Sequence, residues 1–187
     1  QIDFQGIRVV MLMGSTIGNF SSFSSTNIKY GNDAPVMKLL SSIRQNLQVG
    51  DWFVCAFDMC KNPQTLIRAY DDSKGVTAAF NYNLLARLNR ELNFNFDINN
   101  YRHHVTYNPF KREMESWFIS LNSQTITDHQ GFNLKLQPYD AIQTELSAKY
   151  IYEDIQVLME KNSMRIIDCF WTEDEKLPYA ICMAQMF

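Results

Sequence analysis

The sequence has no excess of basic residues. Its 17 Lys and Arg against 20 Asp and Glu leave a formal charge of -3, with no basic stripe, so a nucleic-acid partner is not expected. It lacks a long hydrophobic run. The longest, Val9 to Met13, is far short of a bilayer span and reads as a buried strand. Histidine is scarce, at 3 residues, and so is cysteine, at 4. Cys55, Cys60, Cys169 and Cys182 show neither C-x-x-C spacing nor the density of a disulfide scaffold. Cys55, Cys169 and Cys182 sit in apolar strand-like runs as small hydrophobes, and a reducing cytoplasm is expected. Cys55 and Cys60 flank Asp58, but no histidine is near in sequence to activate a thiol. His103 and His104 are adjacent on a strand and face opposite ways, His129 lies in a polar turn, and no metal site is expected. Repeats, low-complexity tracts and linker-like stretches are missing too.

With 46% hydrophobic residues over 187, the chain carries a real core and has room for one domain with an insertion. Gly6 to Met13 is a continuous apolar strand, a pattern that implies burial on both faces. A helix over Pro35 to Leu47 follows, with Val36, Leu39, Leu40, Ile43 and Leu47 at helical spacing. Trp52 to Phe57 forms the next strand and ends at Asp58, which completes a βαβ unit. Beyond it come a short helix at Pro63–Tyr70 and a longer one at Thr77–Leu92, with Phe80, Leu84, Leu85 and Leu88 on one face. From His103 the period drops to two. A long alternating strand over Glu113–Thr127 and another at Phe132–Leu136 suggest an antiparallel meander, hence a second module. A helix at Ile151–Lys161 and a terminal antiparallel pair, Met164–Thr172 and Pro178–Gln185, resume the α/β pattern. The class expected is α/β, a mostly parallel sheet closed by that pair.

At the carboxyl end of the first strand stands Gly14-Ser15-Thr16-Ile17-Gly18-Asn19. Open α/β sheets bind ligands at such ends, and two glycines allow close backbone approach. It is neither a P-loop nor a GxGxxG fingerprint, and its local pattern leaves a ligand loop and a plain tight turn both open. Asp71 and Asp72 precede a helix, where aspartate caps, so Asp72 is expected to be structural.

Together, Gly14–Asn19, Tyr70-Asp71-Asp72, Gly75-Val76-Thr77-Ala78-Ala79-Phe80-Asn81, Asn89-Arg90-Glu91-Leu92 and Thr144-Glu145-Leu146-Ser147-Ala148-Lys149, in this order, resemble the histidine-specific Nα-methyltransferase family. Its best-known members begin ergothioneine biosynthesis. The likeness covers the chain from Gly6 to its C-terminus. It implies a partial Rossmann-like methyltransferase sheet over 1–61 and 151–187, with an inserted α+β substrate domain over 62–150. It also implies S-adenosylmethionine as cofactor, with Gly14 on the cofactor side, and histidine methylated three times at its α-amine without metal. By the same resemblance, Asn19 and Tyr70 hold the amino and carboxylate end of the substrate. Glu145 and Ser147 face the imidazole with Leu146 between them, and Thr77, Phe80 and Met114 stand behind. Ala148 departs from the family, where cysteine is frequent, at a position with no implied contact.

The residue types suit that chemistry. Amine methylation needs orientation more than covalent help, and an amide and a phenol anchor an amino acid without setting a cation beside a sulfonium. Glu145 and Ser147 are two apart, so an extended segment puts both on one face. For Glu145 a salt bridge to Lys149 is the competing role. The Gly-rich cofactor loop and the acidic residue after the second strand do not precede Gly6, so they are expected upstream of Gln1, in a partner part of the same polypeptide. This chain alone is then expected to be inactive. Methylation of another amine such as tryptophan, and a non-catalytic amino-acid-binding module, remain the alternative functions.

Overall fold

The computed structural model describes residues 6–172, 174 and 178–187. In chain order the elements are β1 (Val9–Leu12), α1 (Pro35–Arg44), β2 (Trp52–Asp58), α2 (Pro63–Tyr70), α3 (Val76–Leu92), β3 (Tyr101–Asn108), β4 (Glu113–Ser120), β5 (Gln124–Thr127), β6 (Asn133–Leu136), β7 (Ala141–Ala148), α4 (Tyr152–Lys161), β8 (Met164–Trp171) and β9 (Tyr179–Met186). They form two compact units, one of residues 1–61, 109–113 and 146–187, the other of residues 62–108 and 114–145.

The first unit is an α/β layer. Its sheet runs β1-β2-β9-β8. β1 and β2 are parallel with Val9 opposite Trp52, while β9 is antiparallel to both β2 and β8. Among the described strands β1–β2 is the parallel pair, and the terminal antiparallel pair β8–β9 closes the sheet, as expected of this α/β class. Five consecutive residues of β2, Phe53 to Phe57, are buried, as an unbroken apolar run predicts for a central strand. β1 departs from that expectation. Val9 and Met11 are exposed, and Val10 and Leu12 alone pack on the core.

Pro35 opens α1 at its first position, where a missing N–H costs nothing, and Val36, Met37 and Leu40 bury its inner stripe. α4 packs Ile155, Leu158 and Met159 into the same core. Asp51 ties the starts of β1 and β2 together, since its carboxylate accepts from Arg8 N (2.9 Å), Arg8 Nε (2.8 Å) and Gln48 N (2.7 Å). Burial pushes its carboxyl up, but the Arg8 and Gln48 backbone N–H groups and the Arg8 guanidinium outweigh that and hold it low.

Cys169 and Cys182 are joined in a disulfide, a correction to their expected role as free small hydrophobes. They stand directly opposite each other on β8 and β9 with Cα atoms 4.1 Å apart. Strand register brings them together, and register is invisible in local sequence. The cysteine-based argument for a reducing compartment loses these two residues. Cys55 is buried and its thiol is pushed up by that burial. Among the described residues no helix is long and apolar enough to cross a membrane.

The second unit holds α2, α3, a β3-β4-β7 sheet and the β5–β6 antiparallel pair. Leu85, Tyr101, Phe118, Ile126 and Leu136 form its core. The long strand expected over Glu113–Thr127 is broken. Ser120 ends β4, and its Oγ donates to Asn122 O at 2.8 Å. Asn122 Nδ2 donates to Asn100 Oδ1 at 2.9 Å, which fixes the turn. The face expected on α3 also shifts by a fraction of a turn. Asn81 and Leu85 are buried, whereas Phe80 is 71% exposed and Leu84 40%.

Replacing Asp51 by Ala strands the Arg8 and Gln48 N–H groups, and we expect a loss of about 1–3 kcal/mol in stability. Because its carboxyl is held low when folded, this contribution is present at neutral pH and fades as pH falls through the acid range. Thermal melts of wild type and Asp51→Ala at pH 7 and at pH 3 should therefore converge at the lower pH.

Candidate functional site

In the first unit the chain leaves β1 through Gly14, at φ +70°, with nothing within 4 Å of where a Cβ would stand. Ser15 is left-handed too, and Thr16–Asn19 make a single 3-10 turn closed by Gly18 N donating to Ser15 O at 2.8 Å. Thr16 Oγ1 donates to Met13 O at 2.9 Å and holds the turn to the strand end. Ile17 is wholly buried and anchors the loop, and its carbonyl accepts from Tyr150 Oη at 3.2 Å. Gly18 cannot carry a side chain without displacement. A Cβ there would lie 3.2 Å from Ala148 O and 3.4 Å from Ser147 Oγ. The loop is thereby seated on the end of β7 beside Ser147, with Asn19 next in sequence and exposed. The left-handed Gly14 leaves its backbone uncovered at the carboxyl end of β1.

Ser147 is buried, and its Oγ accepts from Lys149 Nζ at 2.8 Å. The side chain of Lys149 is fully enclosed, and Nζ donates to Asp58 Oδ2 at 2.7 Å. Lys149 is thus paired with an acid 91 residues away in sequence. A lysine and an acid so distant in sequence give no local signal. In the sequence Asp58 stands out only as a strand end flanked by Cys55 and Cys60.

The second unit carries Tyr70, Thr77, Phe80, Met114 and Glu145, while Gly14, Asn19, Leu146 and Ser147 belong to the first. Tyr70 ends α2. The Asp72 carboxylate accepts from Thr77 N (2.8 Å), Val76 N (3.1 Å) and Lys74 N (3.2 Å), the structural role expected of it. Thr77 Oγ1 also donates to Ala69 O at 3.4 Å, so the end of α2 and the first turn of α3 are held together around Tyr70. The N–H of Thr77, then that of Val76, draw the Asp72 carboxyl down to about 2. Met114 is 1% exposed on β4.

Glu145 is half-buried on β7. Its neighbour Thr144 fixes the strand there, with a hydroxyl 2.6 Å from Asn81 Oδ1 and 3.2 Å from Ser116 O. His103, on β3, packs its ring against Phe118 and leaves both ring nitrogens buried without a hydrogen bond. Burial lowers its pKa, opposed by the charges of Asp71 and Glu145. Among the described residues no group of three or more His, Cys, Asp or Glu could hold a metal ion.

The first unit is an α/β layer with a tight glycine-bearing turn at the carboxyl end of β1, a position at which open α/β sheets bind ligands. The chain belongs to the family described as histidine-specific methyltransferase, SAM-dependent, whose model matches residues 2–186. It is 32% identical over 174 residues to a histidine N-alpha-methyltransferase of Mycolicibacterium smegmatis, covering 92% of this chain and 50% of that protein. It is 27% identical over 180 residues to the protein of the same name from Mycobacterium tuberculosis, covering 96% of this chain and 52% of the other. It is 25% identical over 162 residues to ergothioneine biosynthesis protein 1 of Schizosaccharomyces pombe, covering 86% and 19% respectively. The chain spans about half the length of the two mycobacterial relatives.

Asp72→Ala should fray the first turn of α3 and loosen Thr77 against Ala69. The cap is complete above the ordinary carboxylate range, about 4, and is lost as pH falls through about 2. We expect the variant to melt earlier than wild type at pH 7. Amide exchange should be faster at Val76 and Thr77 while β3 and β4 stay protected, and uniform exchange across the unit would contradict a local cap.

Proposed function

We propose that the protein transfers methyl groups from S-adenosylmethionine to the α-amino nitrogen of histidine. The observation that carries this reading is the Thr144–Lys149 segment of a chain in the histidine-specific family. Glu145 and Ser147 stand two residues apart on β7, where an extended strand turns both to one side. A carboxylate accepts from the N–H of an imidazole, and a hydroxyl meets its other nitrogen. Asn19 and Tyr70 anchor the amino-acid head, Leu146 lies between the two recognition residues, and Thr77, Phe80 and Met114 complete the pocket.

The protein's work in such a reaction is orientation. The amine must be neutral and aligned with the methyl carbon, about 3–3.5 Å away, before a bond forms. Asn19 and Tyr70 do this by hydrogen bonds to the amine and carboxylate, an amide and a phenol that bring no positive charge of their own. When bound, the cofactor supplies the methyl group from its sulfonium. The Gly14 backbone is open enough to lie against it.

In the full-length polypeptide, Asn19→Ala should cost about 1.5–3 kcal/mol in histidine binding, the value of hydrogen bonds to a charged group. Affinity for S-adenosylmethionine should stay nearly constant. Equal losses for both ligands in calorimetry would move Asn19 into the cofactor site.

Substrate choice should reside in Glu145 and Ser147. A buried polar pair left unpaired rejects ligands without the matching groups. Glu145→Leu with Ser147→Ala should cut kcat/KM for histidine and narrow its advantage over tryptophan and phenylalanine. An unchanged preference would sink the imidazole assignment and favour another amine as substrate.

A further inference from the structure

The Lys149 ammonium is a charge with no exposed side-chain surface, placed against a residue of the recognition strand. Enclosing an ammonium costs several kcal/mol unless its donors are met. Asp58 Oδ2 takes one at 2.7 Å and Ser147 Oγ another at 2.8 Å. Asp58 is itself steadied from the other side by Lys61 Nζ on Oδ1 at 2.7 Å. An ammonium has no acceptor, so in this contact the serine oxygen can only accept. The Ser147 O–H is left to be donated elsewhere, and a cation at its back polarises it into a stronger donor. Gly18 adds no side chain on the loop side, where a Cβ would lie 3.4 Å from this hydroxyl.

We propose that Lys149 is a positioning residue that sets Ser147 as a hydrogen-bond donor, and so selects a neutral heterocycle with a bare ring nitrogen. This rests on the reading that Ser147 faces the substrate imidazole. Glu145 then takes the ring N–H and Ser147 gives its proton to the second nitrogen, which fixes one imidazole tautomer. The Lys149–Asp58 pair sets the direction of this contact without touching the ligand.

The test uses the full-length polypeptide and two substrates, histidine and pyrrol-2-yl-alanine, whose ring keeps an N–H but has no bare nitrogen. Ser147→Ala, Lys149→Met and the double variant are compared by kcat and KM, and by calorimetric Kd for both ligands. Lys149→Met should weaken histidine binding by about tenfold, the size of one lost hydrogen bond near a charge. The loss should fall mainly on KM and Kd, with pyrrol-2-yl-alanine nearly unaffected. In the Ser147→Ala background Lys149→Met should add little, because the two act through one contact.

A purely structural lysine predicts the reverse, equal losses for both ligands that add to those of Ser147→Ala, and that result overturns the proposal. If Lys149→Met does not fold, Asp58→Asn takes its place. It loosens the anchor of Lys149 and should shift selectivity in the same direction, again without additivity, whereas an unaltered selectivity counts against the proposal. Should Ser147→Ala itself leave the preference for histidine over pyrrol-2-yl-alanine intact, the imidazole reading fails before the role of Lys149 arises. A normal Ser147→Ala effect with additive Lys149 losses refutes the role of Lys149 alone.

Discussion

A fully enclosed ammonium is a severe constraint on a chain of this size, and the organisation around Lys149 follows from meeting it. The acid that neutralises it is the partly exposed Asp58, at the last position of the central strand β2. The backbone is then locked in the same place. Tyr150 N donates to Asp58 O at 3.1 Å and Cys60 N to Tyr150 O at 2.8 Å, while Lys149 N donates to Arg112 O at 2.8 Å. The segment leaving β7 thus runs as a short parallel extension beside the end of β2. With Tyr150 placed, its phenol reaches Ile17 O and holds the loop after β1. One buried charge pair and one buried tyrosine therefore converge the ends of β1, β2 and β7 where a ligand loop is needed.

Acidic residues elsewhere in the first unit solve the same problem by other means. Asp154 is buried and accepts from Lys29 Nζ at 2.7 Å, Arg112 at 2.9 Å and the backbone N–H of Ile151 at 3.1 Å, which begins α4. Glu113 is 2% exposed and takes Ser21 Oγ at 2.7 Å and Ser22 N at 3.3 Å. In each case a carboxylate is kept by donors from distant segments, so removing one partner leaves a buried acceptor unmet. These contacts fix the short 109–113 segment to its own unit, although the strands on either side of it belong to the other.

What was legible in the sequence divides along physical lines. β2 is readable because a central strand must be apolar at every position. The cap at Asp72 and the strand-end turn at Gly14–Asn19 are readable because their chemistry is local, with a few residues meeting their own backbone. The break at Ser120 was hidden because Asn100, twenty residues earlier, supplies half of the turn. The Cys169–Cys182 bond and the Lys149–Asp58 pair depend on register and on long-range closure. For the candidate site, the residue types of Asn19, Tyr70, Glu145 and Ser147 come from the sequence, and the support behind Ser147 comes from the structure.

That division bears on how substrate choice and stability are linked. Glu145 is seated through Thr144, whose hydroxyl meets Asn81 on α3 and the Ser116 carbonyl on β4. Ser147 is seated through Lys149 and Asp58. The first is an uncharged hydrogen-bond arrangement and the second an ion pair. The hydroxyl contact tolerates polar substitution at modest cost, whereas an enclosed ammonium does not tolerate loss of its acid. On the proposed reading of Glu145 and Ser147 as the recognition pair, the Glu145 end is accordingly the freer one to change. Altered substrate choice within this fold is expected to arise there, with the Ser147–Lys149–Asp58 arrangement kept because the core depends on it.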